Sequence, residues 1–204
     1  RGFGMKGDGP TLMLQAPSFS PPIGLRLSPA LRQQITSEAL DQAIGQERKR
    51  LEEGLGLPFP GMTAWVSTDL LSCECEVRLQ DVPSGRMNFP EGCTAVHATS
   101  PQPHWETVPG LKDVYWAPLG SLPFEGAQPM PTEQLIAQCV IQLLTKEAHL
   151  FIGIQETQWI FDKLNPDYQG LVGEVQKVLP LQRVADVLRR LLEEQVPIRS
   201  MRNI

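Results

Sequence analysis

Cysteine and histidine are the residues of this sequence that could bind a metal ion. Cys73 and Cys75 are separated by one residue, and Cys93 and His97 by three. A structural zinc site typically uses Cys-x₂₋₄-Cys spacing, and neighbouring side chains on one face of a strand are poorly spread for tetrahedral coordination. Cysteine also behaves as a small apolar residue in protein cores. We therefore expect no metal site, with a small metalloprotein as an open alternative.

Nucleophilic or nucleotide chemistry has equally little support. Cys139 lies in the apolar stripe of a predicted helix, which indicates a buried and unreactive thiol, and His149 falls at the end of that helix. No Gly-x-Ser-x-Gly or phosphate-loop motif occurs. Residues 2–7 contain the glycine spacing of a dinucleotide-binding loop, but they precede any predicted strand. We expect no enzymatic activity and no cofactor.

Composition and charge argue against a nucleic-acid-binding protein and against a membrane span in this sequence. The formal net charge of −5 argues against a dedicated nucleic-acid binder, because phosphate contacts need clustered Lys and Arg. No apolar run approaches the ~18 residues of a membrane span. Four cysteines without regular spacing favour a reducing, cytoplasmic setting. The chain begins at Arg1 without a secretory signal, so we expect a fragment whose parent carries any membrane anchor elsewhere.

Proline and glycine divide the chain into two unlike parts. Sixteen of 19 prolines and 14 of 17 glycines precede Thr132. Because both residues punctuate turns and short strands, residues 1–131 read as α+β with many loops. The remainder reads as helical.

The first part contains one predicted helix among short strands. Ile23–Leu27 and, more weakly, Met62–Ser67 read as strands. The helix runs from Ser37, as N-cap, to Glu53, and Gly54 is expected to stop it. Its buried face is formed by Leu40, Ile44 and Leu51.

The clearest β pattern is Leu71–Leu79, in which apolar and polar residues alternate. We expect Leu71, Cys73, Cys75, Val77 and Leu79 to point inward, and Ser72, Glu74, Glu76 and Arg78 to face solvent on an open sheet. Asp81–Arg86 should form a turn and Cys93–Ala98 a further strand. These elements predict a ferredoxin-like unit, and Asp113–Trp116 is expected to return to the first sheet.

The second part should be a compact helical or winged-helix-like bundle. Its first helix is capped by Thr132 and buries a stripe formed by Leu135, Ile136, Cys139, Val140, Leu143 and Leu144. A second helix spans Gln155–Leu164 and ends at Asn165-Pro166. A third, starting near Asp167, should bury Leu171, Val172 and Val175. A fourth follows Pro180.

A winged-helix DNA-binding regulator with an acidic α+β sensor domain is therefore an alternative. The fourth helix carries Arg183, Arg189 and Arg190, but acidic residues accompany them. From Thr132 onward there are eight Lys and Arg against nine Asp and Glu. A groove-reading helix normally has a basic face without that opposition.

Motifs toward the end of the chain resemble the type III secretion export gate family (SctV of injectisomes, FlhA of flagella). The resemblance is carried, in family order, by segments at 153–164, 171–175, 179–183, 187–194 and 198–204, including Gly153-Ile-Gln-Glu-Thr-Gln158 and Leu179-Pro-Leu-Gln-Arg183. Weaker similarity covers 23–27, 48–60 and 76–85, and Ile152-Gly-Ile-Gln-Glu156 favours the injectisome branch. The prolines between Trp116 and Thr132 depart from the helix and strand that the family has there. The sequence also stops at Ile204, within a helix expected to begin near Arg199, so we expect the family's last subdomain to be missing.

The resemblance implies an α+β architecture of several subdomains. A first α/β subdomain (1–60 and 105–131) should carry an inserted ferredoxin-like subdomain (61–104), and a helical, ring-forming subdomain should follow (132–204). The family forms a nonameric ring at the cytoplasmic face of the bacterial inner membrane, in an export apparatus linked to virulence. Its ring receives chaperone–effector complexes and gatekeeper, stalk and switch proteins.

The implied subunit contacts are polar residues of the helical part: Gln155, Glu156, Arg183, Arg199 and Arg202. A ring needs two complementary patches on each subunit, which such residues could supply. Arg199 and Arg202 could instead pair with carboxylates of the same chain. Without the family's last subdomain, we expect a monomer in dilute solution.

Overall fold

The computed structural model describes residues 11–121 and 126–199. The chain divides into two compact units. The first consists of the described residues of 1–47 and 61–143, and the second of the described residues of 48–60 and 144–204. The described helices are α1 (Pro29–Gln34), α2 (Ser37–Leu55), α3 (Thr132–Lys146), α4 (Ile154–Val178) and α5 (Leu181–Glu193), with 3₁₀ turns at Leu119–Ser121 and Ala148–Phe151. None of these helices is both long and apolar enough to cross a membrane.

The described strands of the first unit form two sheets. One contains β1 (Thr11–Met13), β2 (Ile23–Leu27), β3 (Met62–Val66), β4 (Glu74–Leu79) and β5 (Val82–Asn88), and the other contains β6 (Cys93–Ala98), β7 (Glu106–Thr107), β8 (Val114–Pro118) and β9 (Ala127–Met130). The first sheet has the order β1-β3-β2-β4-β5 and is mixed, since β3 runs parallel to both of its neighbours. The second has the order β7-β8-β6-β9 and is antiparallel. The expected α+β class is confirmed.

The second sheet is buried on both faces. On one face Ala95 and Trp116 pack with Leu135 of α3, and Phe89 meets the Trp116 ring edge-to-face at 5.9 Å between centroids. On the other face Val96, Ala98 and Ala117 cluster with Trp105. Strand alternation therefore supplies two separate small cores from one sheet.

Several strand predictions differ from the structure. Of the expected turn at Asp81–Arg86, all but Asp81 lies in strand β5, and the hairpin turns at Gln80 and Asp81, whose φ angles of 50° and 68° suit a tight primed turn. Asp113–Trp116 contributes to β8 of the second sheet and does not return to the first. The strands expected in one ferredoxin-like insert are shared between both sheets, because β3 and β4 pair with β2 and β5 pairs with β4, while β6 pairs with β8. The subdomain boundaries stay a prediction.

The described residues of the proline-rich segment before α3 contain regular structure that its composition does not predict. Within it, β9 pairs with β6 and a 3₁₀ turn covers Leu119–Ser121. Pro129 is tolerated because β9 is an edge strand of its sheet.

The ends of two helices differ from their predicted positions, by a residue or two in α2 and by more in α4. Thr36 caps α2 in place of Ser37, since its hydroxyl oxygen accepts a hydrogen bond from the Ala39 amide at 3.2 Å. The helix continues past Gly54 to Leu55, and Gly56, with φ +75°, ends it. In α4, Pro166 does not terminate the element, but the backbone leaves helical geometry at Tyr168. Leu171, expected to be buried, is 50% exposed.

The polar face of β4 is the largest departure from expectation. Leu71 is exposed, whereas Glu74 and Glu76 are only 6% and 2% exposed. Glu76 lies between two arginines in cross-strand register: Arg26 Nη1 approaches one carboxylate oxygen at 2.7 Å and Arg86 Nη2 the other at 2.7 Å. The Trp65 ring also covers this face, because a Cβ added at Gly24 would lie 2.7 Å from its Cη2. The face is therefore closed by an aromatic ring and arginine side chains.

Arg26 extends this ion network toward the loop after β3. Its Nη2 donates to the Ser67 hydroxyl at 2.7 Å and to the Asp69 carboxylate. Burial by itself would raise the pKa of Glu76, but the hydrogen bonds from Arg86 and Arg26 lower it below its ordinary value. The hydrogen bonds from Arg26 and Ser67 lower the pKa of Asp69 to about 2.

These shifts predict acid sensitivity. Because both folded-state pKa values are depressed, their stabilisation is complete above the unfolded values of 4.5 and 3.8 and is lost as pH falls toward the folded values. We expect the free energy of unfolding to be nearly constant between about pH 7 and 5.5 and to fall below about pH 4.5. Urea unfolding across this range measures the effect. Glu76→Gln should make the dependence shallower, and an equally steep curve for that variant would contradict the assignment.

Candidate functional site

The helical surface of the second unit carries the predicted contact residues. Two aromatic side chains pack together in this unit: Phe59 meets Phe151 edge-to-face at 5.4 Å between ring centroids. Arg48 reinforces it by donating to the Phe59 carbonyl oxygen and pairing with Glu52 at 3.0 Å. Arg189 of α5 donates to the Ile152 carbonyl oxygen at 3.1 Å, which holds the start of α4 beside α5.

Two predicted contact residues occupy the first turn of α4, and they differ in availability. Gln155 is exposed. Glu156 is half-buried, and its carboxylate accepts a hydrogen bond from the Gly153 amide at 2.9 Å, which caps the helix. Glu156 therefore has a role within its own chain that the sequence reading did not assign.

The predicted arginines lie at other points of the unit. Arg183 is exposed in the first turn of α5, and Arg199 is exposed beside Gly56. Neither side chain makes a hydrogen bond or ion pair with another residue in the described ranges 11–121 and 126–199. The alternative in which Arg199 pairs within its chain thus has no support among those residues. Arg202 lies outside the described residues.

An open apolar groove of about 610 Å³, which the sequence reading missed, runs along α5. Its lining is formed by Leu179, Pro180, Arg183, Asp186, Val187, Arg190 and Leu191. Leu179 and Val187 are 47% and 53% exposed, although large apolar side chains favour burial. The usable sequence signal was that Val187 interrupts the polar face of an otherwise amphipathic helix.

The charges around this groove are unequally neutralised. Asp186 pairs with Arg189 at 2.9 Å, and Arg190 pairs with Glu194 at 3.3 Å. Arg183 is left as a cation at one end of an apolar surface. An apolar floor with one such cation suits a protein partner that supplies an apolar side chain and a carboxylate.

Cysteine chemistry has little geometric support in the first unit. Burial raises the pKa of the Cys73 and Cys75 thiols, and it raises that of Cys139 to about 12. Cys73 Sγ accepts a hydrogen bond from the Gln34 side-chain amide at 3.0 Å. Throughout the described part of the chain, no group of three or more His, Cys, Asp or Glu residues could hold a metal ion.

Comparison with known proteins gives consistent similarities over nearly the whole chain. The FHIPEP family model matches residues 12–204. The chain is 43% identical to hypersensitivity response secretion protein HrcV of Ralstonia nicotianae, over 98% of this chain and 30% of that protein. It is 38% identical to protein hrpC2 of Xanthomonas euvesicatoria, over 98% of this chain and 25% of that protein. The chain therefore spans about a quarter to a third of the length of these curated relatives.

Solved structures share the fold. The Chlamydia pneumoniae CdsV protein superimposes with a TM-score of 0.76 at 22% identity, over 92% of this chain and 58% of that one. The nonameric SctV-C of EPEC, solved by cryo-EM, gives a TM-score of 0.68 at 25% identity, over 92% of this chain and 59% of that one.

Proposed function

This chain belongs to the FHIPEP family as part of the C-terminal domain of a type III secretion export gate protein, and we propose that it acts there by assembling into a ring. The ring would dock chaperone–substrate complexes, gatekeeper and other export components at the cytoplasmic face of the inner membrane. It would work by binding, without catalysis or a cofactor. Family membership confirms the resemblance that the sequence motifs carried.

The observation that supports a ring most directly is the surface of the second unit. Arg183 and Arg199 are exposed cations without a partner among the described residues, and an apolar groove lies along α5. A ring of more than two copies needs two different complementary patches on every subunit, so such unsatisfied surface is what a protomer should carry. The similar SctV-C of EPEC is nonameric.

We assign the docking of chaperone–substrate complexes to the surface of the α+β first unit. Its two sheets have exposed apolar residues in loops, including Leu71 at 77% and Leu119 at 54%. Saturable binding of a purified chaperone–substrate complex to the immobilised chain tests this part of the proposal. Binding that is equally strong to the unfolded chain would contradict it.

Self-association is tested by sedimentation equilibrium over a concentration series. We expect a monomer in dilute solution and larger species at high concentration. Arg199→Glu should lower the apparent association constant about tenfold, because it places a like or unpaired charge at a contact. Lys112→Glu is the matched control: it makes the same change in charge on an exposed residue of the first unit, and it should leave association unchanged. A wild-type chain that stays monomeric throughout would overturn the ring proposal.

A further inference from the structure

The exposed edge of the α5 groove is a single row of side chains. Arg183, Val187 and Leu191 are spaced four residues apart, so they lie one above another on one side of α5. The row extends about 12 Å, with the exposed Arg183 cation at its N-terminal end and leucine at its C-terminal end. Val187 in the middle is 53% exposed.

A second row with the same spacing lies on α4. Ile154, Gln158 and Asp162 are also four residues apart, in the straight part of the helix before Tyr168. Ile154 is 52% exposed, and Asp162 is exposed at the other end. The Gln158 amide donates to the Asp162 carboxylate at 2.7 Å, which keeps both side chains along the row.

The two rows cannot meet within one chain. Arg189 binds the Ile152 carbonyl oxygen, so the start of α4 lies on the Arg189 side of α5. Val187 is two residues before Arg189, which rotates it about 200° around the helix axis. The α5 row therefore faces away from the α4 row of its own molecule, as two patches of a head-to-tail contact must.

We propose that the α5 row of one copy packs antiparallel against the α4 row of the next copy in the ring. This inference rests on the proposed ring and specifies its contact. Antiparallel alignment places Arg183 against Asp162 at one end and Leu191 against Ile154 at the other, with Val187 on the aliphatic part of Gln158. Rows of side chains four residues apart are the ridges along which helices commonly pack, and here charge and apolarity match along the whole 12 Å or so. A parallel alignment would set Arg183 against Ile154 and Asp162 against Leu191.

Charge reversal tests the pairing. Arg183→Glu and Asp162→Arg should each lower the apparent self-association constant about tenfold or more, because each places like charges together at the contact. When the two variants are mixed in equal amounts, association should recover. In the mixture, the groove of the Arg183→Glu variant can bind the α4 row of the Asp162→Arg variant. The unchanged groove of the Asp162→Arg variant can bind the unchanged α4 row of the Arg183→Glu variant. Sedimentation equilibrium at low salt measures all of these, with Lys112→Glu as the control that matches the charge change of Arg183→Glu.

The possible results of this experiment distinguish a wrong helix contact from a failure of the chain to form a ring. If the wild-type chain associates but both single variants associate equally well, the contact is wrong and the ring stands. If both variants fail and the mixture does not recover, the residues do not face each other, and the inference is overturned. If the wild-type chain does not associate at any concentration, the ring proposal fails together with the inference.

Discussion

Glu76→Ala is expected to lower the free energy of unfolding of the first unit by about 3 kcal/mol, the scale of a broken buried ion pair. The carboxylate is 2% exposed and binds Arg26 and Arg86 through separate oxygens. Its removal leaves the Arg26 side chain, 12% exposed, with only Ser67 and Asp69 at its other nitrogen. The cost arises because the Arg26 guanidinium, in register with Trp65, loses its buried carboxylate partner and keeps the exposed carboxylate of Asp69.

Urea unfolding of the two proteins at pH 7 measures this difference. The control is Glu91→Ala, which removes the same charge from an exposed turn and should change stability by less than about 0.5 kcal/mol. Arg86→Ala should have a smaller effect than Glu76→Ala, because the Arg86 side chain is 59% exposed. Equal stability of Glu76→Ala and Glu91→Ala would show that the ion network does not support the sheet.

Gly56→Ala should destabilise the second unit by about 2 kcal/mol or more, because two independent costs act at one position. Gly56 has φ +75°, which an L-residue with a side chain adopts only with strain. A Cβ there would also lie 2.8 Å from the Arg199 Cα, so backbone would have to move. That movement would displace Ile198, which is 1% exposed.

The matched control lies two residues earlier. Gly54 is inside α2 with nothing within 4 Å of an added Cβ, so Gly54→Ala should stabilise the protein by about 0.5–1 kcal/mol. Hydrogen exchange should also show faster exchange around Ile198 in Gly56→Ala alone. Two alanine variants with effects of the same sign would refute the assignment of Gly56 as the helix-ending residue.

The sequence predicts well those elements whose pattern is complete within a few residues. β2 and β6 are confirmed, and so is most of the predicted stripe of α3, in which Cys139 and Leu143 are only half-buried. Alternation or helical spacing specifies these elements locally. The solvent face assigned to β4 was wrong because Arg26 and Arg86 stand 50 and 10 residues away from Glu76 in the sequence. Pro83 was taken for a turn residue, but it lies on the edge strand β5, where a missing amide hydrogen is tolerated.

The sequence predicts the candidate site only in part, because some of its features depend on how the helices pack. The exposure of Arg183 and Arg199 follows from their charge. The capping role of Glu156 could have been read from its position three residues after Gly153, next to a helix start. The groove had one sequence signal, because Val187 interrupts the otherwise polar face of α5. The exposure of Leu179 had none, since it depends on how α4 ends and α5 begins.

The cross-strand row of Arg26, Glu76 and Arg86 also bears on misfolding. Side chains alternate between faces along a strand, so a slip of β4 by one residue against β2 would turn Glu76 to the face of Leu25, which Val77 occupies in the native register. A carboxylate among apolar side chains with no cation beside it costs several kcal/mol or must take up a proton. Slipped pairings of this sheet are therefore destabilised relative to the native register. The arginine row thus specifies strand register and discourages slipped, aggregation-prone pairings.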